Sequence, residues 1–210
     1  MFHKINLIKT NKNFSPANTQ TIQFLGGDQM RIAVFCGAHH GSDPAYQAAA
    51  KNLGHWIAEN NYELVYGGSK LGLMGVVADS VLNEGGTVIG IMPDFLHDLE
   101  RVHTHLTKMI TVADLDERKK AMIQYADVCI ALPGGVGTLE EISEAYSWAR
   151  VGQNNSPCIL FNVKNYYQLL QEFFDQMVEQ DFLSKEDRQL VLFSESLSEM
   201  DTFIHDYYKK

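Results

Sequence analysis

The chain has 210 residues, of which 45% are hydrophobic, and a formal net charge of -9. That length supports one well-buried core and is short for two independent domains. The acidic balance removes the basic footprint that a DNA- or RNA-binding protein needs, although a local cluster of backbone amides can still hold a single phosphate.

Residues 1–29 carry scattered apolar positions broken by Lys, Asn and Thr, a pattern that fails as a signal peptide. They read as a flexible N-terminal extension, with 30–210 as the folded domain and Met30 as an alternative start. From Arg31 onward, short apolar runs alternate with segments of helical spacing. "RIAVFCG" is a strand, and "DPAYQAAAKNLGHWIAEN" a helix with Asp43 as N-cap and Pro44 at its first position. "ELVYGG" is the second strand, "GLMGVVADSVLNEGG" the next helix, and "TVIGIMP" the third strand. A mixed region follows, with one strand over Lys108 to Val112. "DERKKAMIQYA" (helix), "DVCIALP" (strand), "TLEEISEAYSWAR" (helix), "PCILFN" (strand) and "YYQLLQEFFDQMVEQ" (helix) continue the alternation. "QLVLFSES" and "EMDTFIHDYYKK" close it as strand and helix.

Continuous apolar strands separated by helices imply a single doubly wound, Rossmann-like α/β domain with a mostly parallel sheet. No apolar stretch approaches the ~20 residues of a membrane span. Cys36, Cys129 and Cys158 lie in apolar runs without paired spacing and read as buried free thiols of a cytoplasmic protein.

Ligands of such sheets bind beyond the carboxyl ends of the strands. Two glycine clusters stand there, Gly67-Gly68 and Gly134-Gly135, and are expected to converge on one crevice. In "PGGVGT" the loop opens a helix whose first amides lack partners, so Gly134, Gly135, Val136, Gly137 and Thr138 present donors and the positive end of a helix dipole to a phosphate. The alternative is that Thr138 and Glu141 merely form a capping box. A second glycine-rich loop at the same edge, "VYGGSKLGLMG", favours a binding site over a simple turn. Neither loop is a Walker or dinucleotide fingerprint. Glu140 and Glu141 lie about one turn into the helix, where a ribose attached to the phosphate would stand. Arg118 and Lys119 open the preceding helix, where cations oppose the dipole. They belong either to a solvated face or to an anion site.

"VYGGSKLGLMG", "ERK" and "PGGVGTLEE", in this order, resemble the LOG family, the cytokinin riboside 5′-monophosphate phosphoribohydrolases long mislabelled as lysine decarboxylases. The similarity spans about Arg31 to Leu183. It implies hydrolysis of the N-glycosidic bond of an adenine-type nucleoside 5′-monophosphate, without metal or organic cofactor, by a homodimer or larger homo-oligomer. It places the catalytic pair on Arg118 and Glu141. Ligand contacts fall on Lys119, on the loop Gly135, Val136, Gly137, Thr138, Leu139 and Glu140, on Glu100 and on Ser147. The chain departs from the family pattern at Ala38-His39, where Ser-Ser is usual, at Ser69 for glycine, at Leu115-Asp116 for Met-His and at Ser147 for Thr.

The chemistry suits these groups. Breaking a ribosyl C–N bond builds positive charge on the sugar, which a carboxylate such as Glu141 can stabilise while orienting a water. Arg118 would bind phosphate or donate to the departing base. His97, His103 and His105 show no recognised metal-ligand spacing. Tyr146 and Trp148 read as packing or subunit contacts. The competing class is a non-catalytic nucleotide-binding or carrier protein on the same fold, which could dispense with Arg118 and Glu141. A pyridoxal-phosphate decarboxylase would need a Schiff-base lysine and a pyridinium partner, and no convincing pair is present.

Overall fold

A computed structural model describes residues 29–96 and 101–209. Seven strands, β1 (Arg31–Phe35), β2 (Glu63–Tyr66), β3 (Thr87–Pro93), β4 (Lys108–Val112), β5 (Val128–Ala131), β6 (Cys158–Phe161) and β7 (Val191–Ser194), form one sheet in the order β4-β3-β2-β1-β5-β6-β7. Every adjacent pair is parallel. The helices are α1 (Pro44–Glu59), α2 (Gly72–Asn83), α3 (Leu115–Tyr125), α4 (Val136–Arg150), α5 (Gln168–Glu179), the single turn α6 (Lys185–Arg188) and α7 (Leu197–Lys209).

Alternate side chains of each strand point to opposite faces, and both faces are covered. On β1, Ile32 and Val34 enter a core built with Leu53 and Ile57 of α1, Val77 and Val81 of α2, and Met200 and Ile204 of α7. Ala33 and Phe35 enter the other, built with Met122 and Ile123 of α3, Ile142 and Ala145 of α4, and Phe174 of α5. Expected packing roles hold: Tyr146 stacks on Phe174, and all three cysteines are buried and free.

Helix starts follow local chemistry. Asp43 caps α1 by accepting from the Ala45 amide, with Pro44 at the first position. Asp114 caps α3 through the Glu117 amide, while the Glu117 carboxylate reaches back to the Ala113 N–H at 2.7 Å. The chain runs outward through β2, β3 and β4, then returns to lay β5 against the other side of β1. The strand order reverses there, and the crevice beyond the carboxyl ends of β1 and β5 is where an open α/β sheet takes its ligand.

Candidate active site

Three loops meet at that crevice. The chain leaving β1 (36–42) is tied to the loop after β5 by the Gly37 N–H, which donates to the Pro133 carbonyl at 3.1 Å. The Leu73 N–H of α2 donates to the Gly37 carbonyl at 3.0 Å. The Tyr167 hydroxyl donates to the Leu132 carbonyl at 2.7 Å and the Tyr166 hydroxyl to the Gly134 carbonyl at 2.5 Å. The two bonds fix the direction of these loop carbonyls.

Helix α4 begins on Gly135, an extended residue that offers no side-chain cap. Its first main-chain bond runs from the Leu139 N–H to the Gly135 carbonyl, so the amides of Val136, Gly137 and Thr138 precede the ladder. Thr138 is the third helical residue and 4% exposed. The capping box is therefore not formed, because the N-cap position belongs to Gly135. Gly134 must be glycine on steric grounds: a Cβ there would lie 2.1 Å from the Thr138 hydroxyl oxygen.

Arg118 is buried, 6% exposed, on the fourth residue of α3. Its Nε donates to the Ile91 carbonyl at 3.1 Å and its Nη2 to the Gly67 carbonyl at 2.7 Å. Two donors committed to backbone carbonyls fix the guanidinium plane. Arg118 and Glu141 line the same cavity of about 410 Å³, with Gly67 and the loop Gly134 to Thr138. That volume is within the range of about 300–1,000 Å³ usual for small-molecule sites. Both charges are felt by the Cys36 thiol at the cavity floor: burial pushes it well above the usual thiol range, Glu141 adds to the rise and Arg118 opposes it. A thiol so held is neutral and is no nucleophile.

The structure thus gathers Arg118, Glu141, Gly67, Gly134, Gly135, Val136, Gly137 and Thr138 around one space. Gly68, Lys119, Leu139, Glu140 and Ser147 stand outside its wall. Lys119 turns to α4 and bonds Glu140 at 2.6 Å, with Asp116 at 3.3 Å and Glu144 at 3.5 Å. The Glu140 contact is the main reason its ammonium is held above the ordinary lysine range. Ser147, Leu139 and Glu140 share the exposed face of α4. Glu100 and His97 lie outside the described residues.

From the loop after β1, sequence reasoning raised Ala38-His39 alone; Gly37, His40 and Gly41 wall the cavity beside them. The two glycines of "CGAHHG" between a strand and an Asp-Pro helix start were the available signal. Tyr46 and Tyr166, edge-on at 5.7 Å, complete the wall. Tyr166 is 32 residues from the carbonyl it holds, a relation that no local pattern discloses.

A helix start with free leading amides, at the switch point of a parallel sheet and lining one cavity with a carboxylate and a guanidinium, defines an α/β protein with its cavity at the usual ligand crevice of such a sheet. The family model described as "Possible lysine decarboxylase" matches residues 74–202. The cytokinin riboside 5′-monophosphate phosphoribohydrolase LOG1 of Arabidopsis thaliana is 40% identical over 177 residues, covering 84% of this chain and 83% of that protein. The cytokinin riboside 5′-monophosphate phosphoribohydrolase of Rhodococcoides fascians is 40% identical over 162 residues, 77% of this chain and 82% of its own. The chain belongs to this family, the LOG family. Among solved structures, the molybdenum cofactor carrier protein of Chlamydomonas reinhardtii aligns with a TM-score of 0.65 at 20% identity, over 87% of this chain and 99% of that one. The molybdenum cofactor binding protein of Rippkaea orientalis gives 0.61 at 21%, over 85% and 96%. At those identities the likeness establishes the shared fold alone. Among the described residues the cavity wall contains no lysine to form a Schiff base, so the decarboxylase label finds no support there.

Proposed function

We propose that this protein hydrolyses the N-glycosidic bond of adenine-type nucleoside 5′-monophosphates, cytokinin riboside 5′-monophosphate or AMP, to the free base and ribose 5-phosphate. The reading rests on one observation: Arg118 and Glu141 line the same cavity as the uncapped amides of α4. The 5′-phosphate sits on the amides of Val136, Gly137 and Thr138, where backbone donors and the helix dipole favour an anion. Glu141, one turn further along α4, stands beside the ribose. As the C1′–N9 bond lengthens, its carboxylate stabilises the charge growing on the sugar and orients the attacking water. The water oxygen ends on C1′ and a proton ends on the departing base. Arg118, fixed by two carbonyls, supplies positive charge beside Glu141. Water is the only co-reactant, and its activation is assigned to Glu141 without a metal or organic cofactor.

The same reading includes a homodimer or larger homo-oligomer. Its support is the outer face of α4, where Leu139 is 40% exposed and Val151, just past the helix end, 68% exposed. Lys119, Glu140 and Ser147 flank that face and enter binding where a second copy packs on it. A cytoplasmic location fits the three free cysteines.

Incubation with AMP and with an N6-prenylated AMP, followed by chromatography, tests the activity. Equimolar base and ribose 5-phosphate are expected. Tight binding without base release from either nucleotide would overturn the hydrolase in favour of a carrier.

A further inference from the structure

His103 is a buried polar side chain, 6% exposed, that forms no part of the cavity wall. Both ring nitrogens are engaged: Nδ1 accepts from the His105 backbone N–H at 3.2 Å, and Nε2 stands 2.9 Å from Asp79 Oδ1 on α2. A backbone donor at Nδ1 makes that nitrogen the acceptor, so the ring proton resides on Nε2 and is donated to the carboxylate. The pair fastens segment 101–106 to α2.

That segment in turn clasps the loop after β2. The His103 N–H donates to the Gly68 carbonyl at 3.0 Å, and the Lys70 N–H to the Arg101 carbonyl at 3.1 Å. Between these bonds, Ser69 and Val102 form an antiparallel bridge. Gly68 takes a positive φ of 81° and Arg101 one of 47°. A double glycine has wide backbone freedom, so nothing intrinsic to Gly67-Gly68 sets the direction of its carbonyls. That direction matters, because the Gly67 carbonyl is the 2.7 Å acceptor of Arg118 Nη2.

We propose that Asp79 and His103 are positioning residues for Arg118, an inference that rests on the assignment of Arg118 to the reaction. The Asp79–His103 bond anchors 101–103, the anchored backbone fixes Gly68, and the fixed turn holds the guanidinium beside Glu141. The phosphate is gripped elsewhere, by α4, so loosening this chain of contacts slows the chemical step and spares binding.

The Asp79 side chain is 64% exposed, so truncating it opens no core cavity. Asp79→Ala removes the anchor, and Asp79→Asn keeps an oxygen to accept from Nε2. With AMP as substrate, Asp79→Ala is expected to lower kcat about tenfold with KM within about twofold of the parent, and Asp79→Asn to restore most of the loss. In an Arg118→Ala background Asp79→Ala adds no further loss, since the two act through one group. A parental kcat in Asp79→Ala, a loss confined to KM, or full multiplication of the two losses would each overturn the proposal. Should the parent protein release no base from any nucleotide, the hydrolase reading alone falls. Hydrogen–deuterium exchange of 67–71 then decides: Asp79→Ala must accelerate it about tenfold or more, and unchanged exchange rejects the anchor.

Discussion

Arg118 Nη2 and the Gly67 carbonyl oxygen are 2.7 Å apart, and a Cβ on Gly67 would stand 2.0 Å from that same nitrogen. The guanidinium occupies the space that a side chain at 67 would need. Gly67→Ala is therefore expected to displace Arg118 and lower turnover of AMP on the order of 10²-fold, comparable to losing a preorganised electrostatic group. Circular dichroism should show the fold retained. Turnover within about threefold of the parent would mean that the position of Arg118 is unimportant to the chemistry.

Glu140 and Glu141 are adjacent and chemically identical, yet one bonds Lys119 outside the wall and the other lines the cavity. Glu141→Gln should cut kcat by about 10²–10³. Glu140→Gln should cost about threefold or less in kcat, because its carboxylate stands outside the cavity wall, and any further loss should fall on KM. Steady-state kinetics on the two variants compares them directly, and equal losses would defeat the assignment of Glu141.

Cys36 is buried against the cavity with its thiol held neutral, so iodoacetamide at pH 8 should leave activity unchanged, and Cys36→Ala should turn over AMP at a rate close to the parent. Rapid inactivation that ribose 5-phosphate prevents would contradict this.

Alkaline stability follows from the same burial. Cys36 and Cys158 titrate well above the ordinary thiol value of 9.0, Cys158 mainly through its contact with Cys129 and then through burial. Burial also raises Tyr66, Tyr167 and Tyr208 above the ordinary 10.0 and pushes Tyr146 up to about 12. Above pH 9 to 10 the unfolded chain releases protons that the folded chain retains, so the unfolded state binds fewer and stability falls as pH rises. Thermal melts should show Tm level from pH 7 to 8.5 and falling steadily to pH 10.5. A flat profile would mean that these groups ionise as easily in the folded protein.

Removal of divalent metal should not matter. On the proposed mechanism Arg118 and the α4 amides supply the charge neutralisation, so dialysis against a chelator should leave kcat with AMP unchanged. Loss of activity restored by one added cation would replace this mechanism with a metal-assisted one.

The strands were legible because a sheet buried on both faces demands unbroken apolar runs, such as "RIAVFC" and "DVCIALP". The pairing of Arg118 with Glu141 came from the family resemblance of the motifs in their order, since a guanidinium and a carboxylate 23 positions apart face one cavity only when β5 returns the chain to β1. Helix α4 begins two residues before the expected Thr138 because its N-cap position is Gly135, which has no side chain to mark the start. Helix α6 is one turn long, capped by Ser184, and too short for any periodicity to register. The clamp of Tyr166 and Tyr167 on Gly134 and Leu132, like the bond from His103 to Asp79, joins residues far apart in sequence through single hydrogen bonds. Such contacts are set by where elements pack, so spacing could not announce them.

Because α4 opens on a residue with no side chain to offer its own leading amides, those donors are left for a ligand to satisfy. Whatever carries a phosphomonoester completes that turn, and the spent sugar keeps its phosphate. Ribose 5-phosphate at a hundred times its Kd should therefore raise the unfolding free energy by about 2.7 kcal/mol. On the proposed mechanism, accumulating product should both toughen the protein and compete with the next substrate.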